Sequence, residues 1–259
     1  ELAAKARERL AFEELFIMQL RGLIRKKEWQ KGQKAKRVWP QEITMSFLQK
    51  LPFALTEAQK KVLNEILGDI QSSFPMRRLL EGDVGSGKTV VAALAMLLVA
   101  KAGFQCAMMA PTEILAEQHF QKIAPLLAEF GLKISLVTSN KSFIFSPDNP
   151  KGLLEEVPDK LKIKISELKQ KISQGSVEIV IGTQALLETD MVFAKVGLVI
   201  IDEQHRFGVA QRADLHQKNK ETPDFLMMSA TPIPRSLALA LYGDLDLSVL
   251  DEMPKGRQK

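Results

Sequence analysis

The sequence predicts an α/β protein: a parallel sheet with helices on both faces, preceded by an N-terminal linker helix. From Thr56 onward, short apolar runs alternate with longer segments of helical period. The short runs are near-continuous in apolar residues, as expected of strands covered on both faces. A third observation is the stretch Gly82–Thr89, GDVGSGKT, which lies between one such run and one such helix.

Taken in order, residues 7–27 predict a helix. Leu10, Phe12, Phe16, Ile17, Leu20, Leu23 and Ile24 give it a broad apolar face, to be covered by the domain that follows or by one that precedes it. Residues 28–50 are mixed and basic, contain Pro40, and read as a connector. The run Lys26, Lys27, Lys31, Lys34, Lys36 and Arg37 reads there as a solvated face. Strands are expected at 78–81, 106–110, 134–137, 178–181, 198–201 and 225–228, and helices at 88–101 and 113–130. Residues 140–160 hold three prolines and no clear period, so they predict an inserted surface loop. The domain division expected is 1–50 as linker helix and connector, and 51–259 as the α/β domain.

Composition narrows the class. The 259 residues are 46% hydrophobic, enough for a substantial core. No apolar run reaches the ~18 residues of a membrane span, so no membrane partner is expected. The start, ELAAKARERL, has neither a signal-peptide pattern nor an initiator Met, and the chain reads as a piece of a longer protein. The only cysteine, Cys106, lies in an apolar run and reads as a buried thiol, which suits a reducing cytoplasm. A net charge of +5, from 36 basic and 31 acidic residues, is compatible with a nucleic-acid partner.

Three motifs carry chemistry, and in a parallel sheet all fall beyond the carboxyl ends of strands, where ligands sit. GDVGSGKT satisfies the phosphate-loop pattern. Gly82, Gly85 and Gly87 let the backbone approach phosphate oxygens, and Asp83, Val84 and Ser86 add N–H groups that face the anion. Lys88 should reach the β- and γ-phosphates, and the Thr89 hydroxyl should help hold magnesium. The second motif, LVIIDEQH, ends an apolar strand in two carboxylates. Asp202 suits the outer shell of a magnesium ion, through water, and Glu203 is placed to deprotonate the attacking water. Adjacent carboxylates of this kind argue against a small-molecule kinase, which must exclude water. The third, SATPIP, offers the hydroxyls of Ser229 and Thr231 as a coupling element.

GDVGSGKT, APTEILAEQH, GTQALL, IIDEQHRFGVAQR, SATPIPRSLALALYGDLD and DEMPKGR follow one another in the chain. Together they resemble the first motor lobe of the RecG family, bacterial ATP-dependent DNA helicases of superfamily 2, from about Leu51 to the end. The resemblance implies a RecA-like phosphate-loop NTPase domain that uses ATP and Mg2+. It also implies that Gln59 reads the adenine edge, and that Gln204 and His205 sense the γ-phosphate and link hydrolysis to movement. Pro111, Thr112 and Glu113, with Gly182 and Thr183, correspond to positions near the nucleic-acid backbone. Gln184 stands where the family usually has histidine, and the 140–160 insertion is longer than the usual hairpin.

The function so implied is the ATP-binding motor lobe of a translocase that remodels branched double-stranded DNA, such as stalled forks and Holliday junctions. Its partners would be a second motor lobe and an N-terminal wedge domain of the same full-length chain, acting as a monomer in the bacterial cytoplasm. Single-strand-binding protein is a further candidate partner. Two other readings stand beside it: the motor of a transcription-repair coupling translocase, and an ATP-switch interaction module without turnover. A catalytic arginine is expected from the second lobe, because Arg206, Arg212 and Arg235 each neighbour a motif whose family role is structural or DNA-facing. The chain alone is therefore expected to hydrolyse ATP negligibly.

Overall fold

A computed structural model describes residues 2–34, 37–146, 162–202, 221–231 and 243–252. Eight strands form one sheet: β1 (Arg77–Gly82), β2 (Gln105–Met109), β3 (Ile134–Val137), β4 (Ser142–Phe145), β5 (Ile179–Gly182), β6 (Val196–Asp202), β7 (Asp224–Ser229) and β8 (Asp246–Leu250). Their order is β4-β3-β5-β2-β6-β7-β1-β8. Every pairing is parallel except β3 with β4.

Side-chain alternation sorts the strands' apolar residues onto two faces. Along β6, Leu198 and Ile200 join one core while Val199 and Ile201 join the other; β2 divides Cys106 and Met108 from Ala107 and Met109 in the same way. Helices α3 (Glu57–Gln71), α4 (Lys88–Lys101) and α5 (Glu113–Leu127) cover the first face, and α6 (Ile165–Ser173) lies on the second. Every residue of α4 from Val91 to Ala100 is buried. An all-round apolar helix requires neighbours on every side, and α4 has them in the sheet, α2, α3 and α5. Burying that helix contributes roughly 1.5–3 kcal/mol for each large aliphatic side chain.

The connector departs from expectation. Residues 41–50 form helix α2 (Gln41–Lys50), which buries Phe47 against the core. Its apolar set, Ile43, Phe47 and Leu48, is too short to stand out as a period. The basic run is not a solvated face throughout: Arg37 and the Lys34 side chain are buried. Both pair with Asp224 at the start of β7, Lys34 Nζ at 2.9 Å and Arg37 through Nη1. Lys34 also donates to Asp69 O (2.8 Å) and Phe74 O (3.3 Å), and Asp224 Oδ1 accepts from Met76 N at 2.6 Å. These donors satisfy the buried Asp224 carboxylate, whereas Arg37 Nε and Nη2 have no hydrogen-bond partner among the described residues.

Helix α1 (Leu2–Gln30) is longer than expected, and its apolar face is exposed at Leu10, Phe12, Phe16, Ile17, Leu20, Leu23 and Ile24. The second half of the helix packs on the following domain. Gly22 lies against Gly243 so closely that a Cβ would sit 2.9 Å from its carbonyl carbon. Lys26 pairs with Asp246 at 2.7 Å, and Trp29 packs edge-on against Phe225 beneath the Arg77 guanidinium.

The stretch expected to be a loop from 140 begins instead as an edge strand. Residues 142–145 pair with β3, bury Phe143 and Phe145, and Phe143 bridges to Lys162. The rest of that insertion, 147–161, lies outside the described residues. No described helix is long and apolar enough to cross a membrane.

Candidate phosphate site and nucleic-acid edge

The phosphate loop leaves the carboxyl end of β1 and enters α4. Gly85 and Gly87 have φ of 91° and 97°, a region that L side chains rarely adopt. At Gly87 the space is also taken, because a Cβ would lie 2.2 Å from Gln59 Nε2. The first N–H groups of α4 have no helical partners and carry the positive end of its dipole. Lys88 Nζ donates to Gly82 O and, at 3.0 Å, to Asp83 O, so the amine lies across the loop's own carbonyls. Ser86 Oγ is buried with no hydrogen-bond partner among the described residues. An orphaned hydroxyl, two left-handed glycines and an amine at the loop fit a phosphate chain. Thr89 is half-buried at the same helix start.

Gln59 is held on both sides. It completes a capping box with Thr56 at the start of α3, its Oε1 accepting from Thr56 N, and its Nε2 donates to Ser86 O at 2.6 Å. The amide thus fastens α3 to the phosphate loop, with Gln59 itself buried.

Asp202 ends β6, two strands from β1, with β7 between them. His119 Nε2, from α5, lies 2.6 Å from its Oδ2. Among the described residues no group of three or more His, Cys, Asp or Glu side chains could hold a metal ion. Thr89 and Asp202 suit a magnesium ion held largely by phosphate and water, since that ion dehydrates reluctantly. Ser229 ends β7 and Thr231 follows it, their hydroxyls 3.0 Å apart, and Ser229 lies in register with Glu81 of β1.

Pro111 and Thr112 leave β2 and Gly182 and Thr183 end β5, its neighbour in the sheet, so the four share one stretch of the carboxyl edge. Thr112 caps α5, accepting from Leu115 N at 3.3 Å, and Glu113 opens the helix. Gly182 must be glycine, because a Cβ would lie 2.2 Å from Val137 O. Gln184 is exposed beside Thr183, in a 3-10 turn over Gln184–Leu187.

Glu203, Gln204 and His205 lie outside the described residues, as do Arg206, Arg212 and Arg235. His119 is the residue that sequence reasoning passed over within APTEILAEQH. The signal was a lone polar side chain on the apolar face Ala116, Phe120, Ile123, Ala124.

Comparison with known proteins agrees with this geometry. The family model described as DEAD/DEAH box helicase matches residues 56–240. The ATP-dependent DNA helicase RecG of Aquifex aeolicus is 43% identical over 253 residues, covering 97% of this chain and 30% of that protein. RecG of Thermotoga maritima is 48% identical over 256 residues, covering 98% and 30%. The chain thus spans about a third of the length of the curated relatives it matches. A solved structure of RecG bound to a three-way DNA junction is similar with a TM-score of 0.80 at 43% identity, covering 99% of this chain and 32% of that one. A DNA-bound DUF1998 helicase, MrfA, shares the fold alone, with a TM-score of 0.56 at 20% identity. The glycine loop, the strand-end aspartate and the 185 matched residues (56 to 240 inclusive) assign the chain to the DEAD/DEAH box helicase family.

Proposed function

We propose that this chain is the first motor lobe of an ATP-dependent helicase that remodels branched DNA. The observation that carries the reading is one shared sheet edge. Along it stand the phosphate loop after β1, Asp202 after β6, and the β2 and β5 turns with Thr112 and Thr183. A nucleotide and a DNA backbone bound along that edge would be neighbours, as a motor needs them to be. The junction-bound RecG structure, similar over nearly the whole chain, supports branched DNA as the substrate class.

On this reading the loop N–H groups and Lys88 take the phosphate charge. Lys88 Nζ, which donates to Gly82 O and Asp83 O, would turn to the phosphate, and charge-assisted bonds are the stronger kind. Thr89 and Asp202 would hold magnesium, which would supply positive charge against the phosphates. Glu203 accepts a proton from the attacking water, and Gln204, His205, Ser229 and Thr231 relay the state of the site. An arginine from a second lobe would supply ~10³–10⁵ in rate, and the chain alone would hydrolyse ATP negligibly. The exposed apolar face of α1 supports a covering neighbour, to which we assign the wedge domain. The protein would act in the bacterial cytoplasm, at the nucleoid.

The test is Lys88→Ala in the intact protein. ATP turnover should be lost while DNA affinity and unfolding midpoint stay at wild-type values. Equal loss of DNA binding would mean that the lysine supports the fold rather than the phosphates.

A further inference from the structure

Helix α5 turns one face to the core, and that face is apolar except at one position. Ala116, Phe120, Ile123, Ala124 and Leu127 are buried alongside His119. A polar side chain in such company costs free energy unless it is partnered. The partner of His119 is Asp202, with Nε2 2.6 Å from Oδ2 and both side chains 11% exposed. Nδ1 is buried without a partner among the described residues, so the tautomer with its proton on Nε2 leaves no buried donor unpaired there. The bond engages one carboxylate oxygen and spares the other.

Asp202 is a strand-end residue, and the terminal torsion of a carboxylate is broad and weakly held on its own. The imidazole is not free to follow it. His119 is carried by a helix anchored on both sides, by the Thr112 cap at its start and by the buried face around it.

We propose that His119 is a positioning residue: its Nε2–H holds the Asp202 carboxylate in the orientation that serves the water shell of a nucleotide-bound divalent cation. The proposal rests on the reading of Asp202 given above. Outer partners that orient metal-serving groups typically change metal affinity by about 10–100-fold when removed. A histidine that merely fills the core would have no such effect.

The experiment uses the intact protein and a fluorescent, non-hydrolysable ATP analogue, titrated at increasing Mg2+ concentration. His119→Leu fills the space without a donor, and His119→Gln keeps a side-chain N–H. The leucine variant should raise the Mg2+ concentration for half-maximal binding by about 10–100-fold. The glutamine variant should stay near wild type, and Mg2+-free analogue affinity should change in neither. Matching midpoints for leucine and wild type, or a parallel loss of Mg2+-free affinity, would overturn the proposal. Should the leucine variant not fold, His119→Asn, whose donor is too short to reach Oδ2, is expected to show the same rise, and no rise there overturns it. Asp202→Asn separates this inference from the reading beneath it. If Asn shifts the midpoint and Leu does not, His119 alone is wrongly assigned; if Asn shifts nothing, both fall.

Discussion

Asp224 and Asp202 stand at opposite edges of the same sheet, and both are buried. Asp224, at the amino edge, is closed: Met76 N, Lys34 and Arg37 all donate to it. Asp202, at the carboxyl edge, is engaged by His119 through one oxygen. The contrast extends to their neighbours. At the amino edge Gln105 spends its whole amide on backbone, accepting from Ala194 N and Lys195 N and donating to Ile172 O and Val177 O. At the carboxyl edge Ser86 Oγ has no partner among the described residues, and Lys88 Nζ donates to loop carbonyls. The amino edge spends the Asp224 carboxylate and the Gln105 amide on the fold, while the carboxyl edge holds a hydroxyl at the phosphate loop with no partner among the described residues. Stability and function are thus separable by strand polarity.

Breaking the closed edge should cost the most. Asp224→Ala leaves two buried cations without their carboxylate, and removing one partner of a buried pair costs about 3–5 kcal/mol. The expected result is a large fall in the urea midpoint, with most of it recovered when Lys34 and Arg37 are also replaced by methionine. A midpoint unchanged by Asp224→Ala would mean that the connector is not fastened there. Lys88→Ala, at the open edge, is the matched control, with ATP turnover lost and the DNA affinity and midpoint kept.

A smaller effect concerns pH. Burial, with the neighbouring Arg37 guanidinium, pulls Lys34 down from 10.5 to about 7. The folded state then releases this proton more readily than the unfolded chain, which still holds it up to its ordinary pKa. Stability should rise as pH increases from about 7 toward 10.5 and fall as pH drops back through 7. Unfolding measured across that range should show the rise in wild type and a flatter profile in Lys34→Met. Identical profiles would show that Lys34 keeps its proton throughout.

Much of the carboxyl edge was legible because its chemistry is local. A phosphate loop is a contiguous run, and the apolar strands at β1, β2, β3, β5, β6 and β7 announce themselves by composition. Strands β4 and β8 did not, since each is a short edge with alternating burial, one beside prolines and one between two motifs read for other reasons. The closed edge was illegible for a different cause. Lys34 and Arg37 look like any solvated basic run until a residue far along the chain, Asp224, is brought beside them. The His119 contact to Asp202 is likewise a long-range pairing, hinted at only by one polar side chain on an apolar helix face.

The central claim is that the open edge hydrolyses ATP in response to branched DNA. It is tested most directly by the steady-state ATPase rate of the intact protein with and without a forked duplex, with Glu203→Gln as the reference. The account predicts fork-stimulated turnover in wild type and a loss of ~10²-fold or more in the variant, which keeps nucleotide binding but lacks the base. Tight ATP binding with no turnover in either protein, fork or no fork, would contradict it and favour a nucleotide-switched binding module.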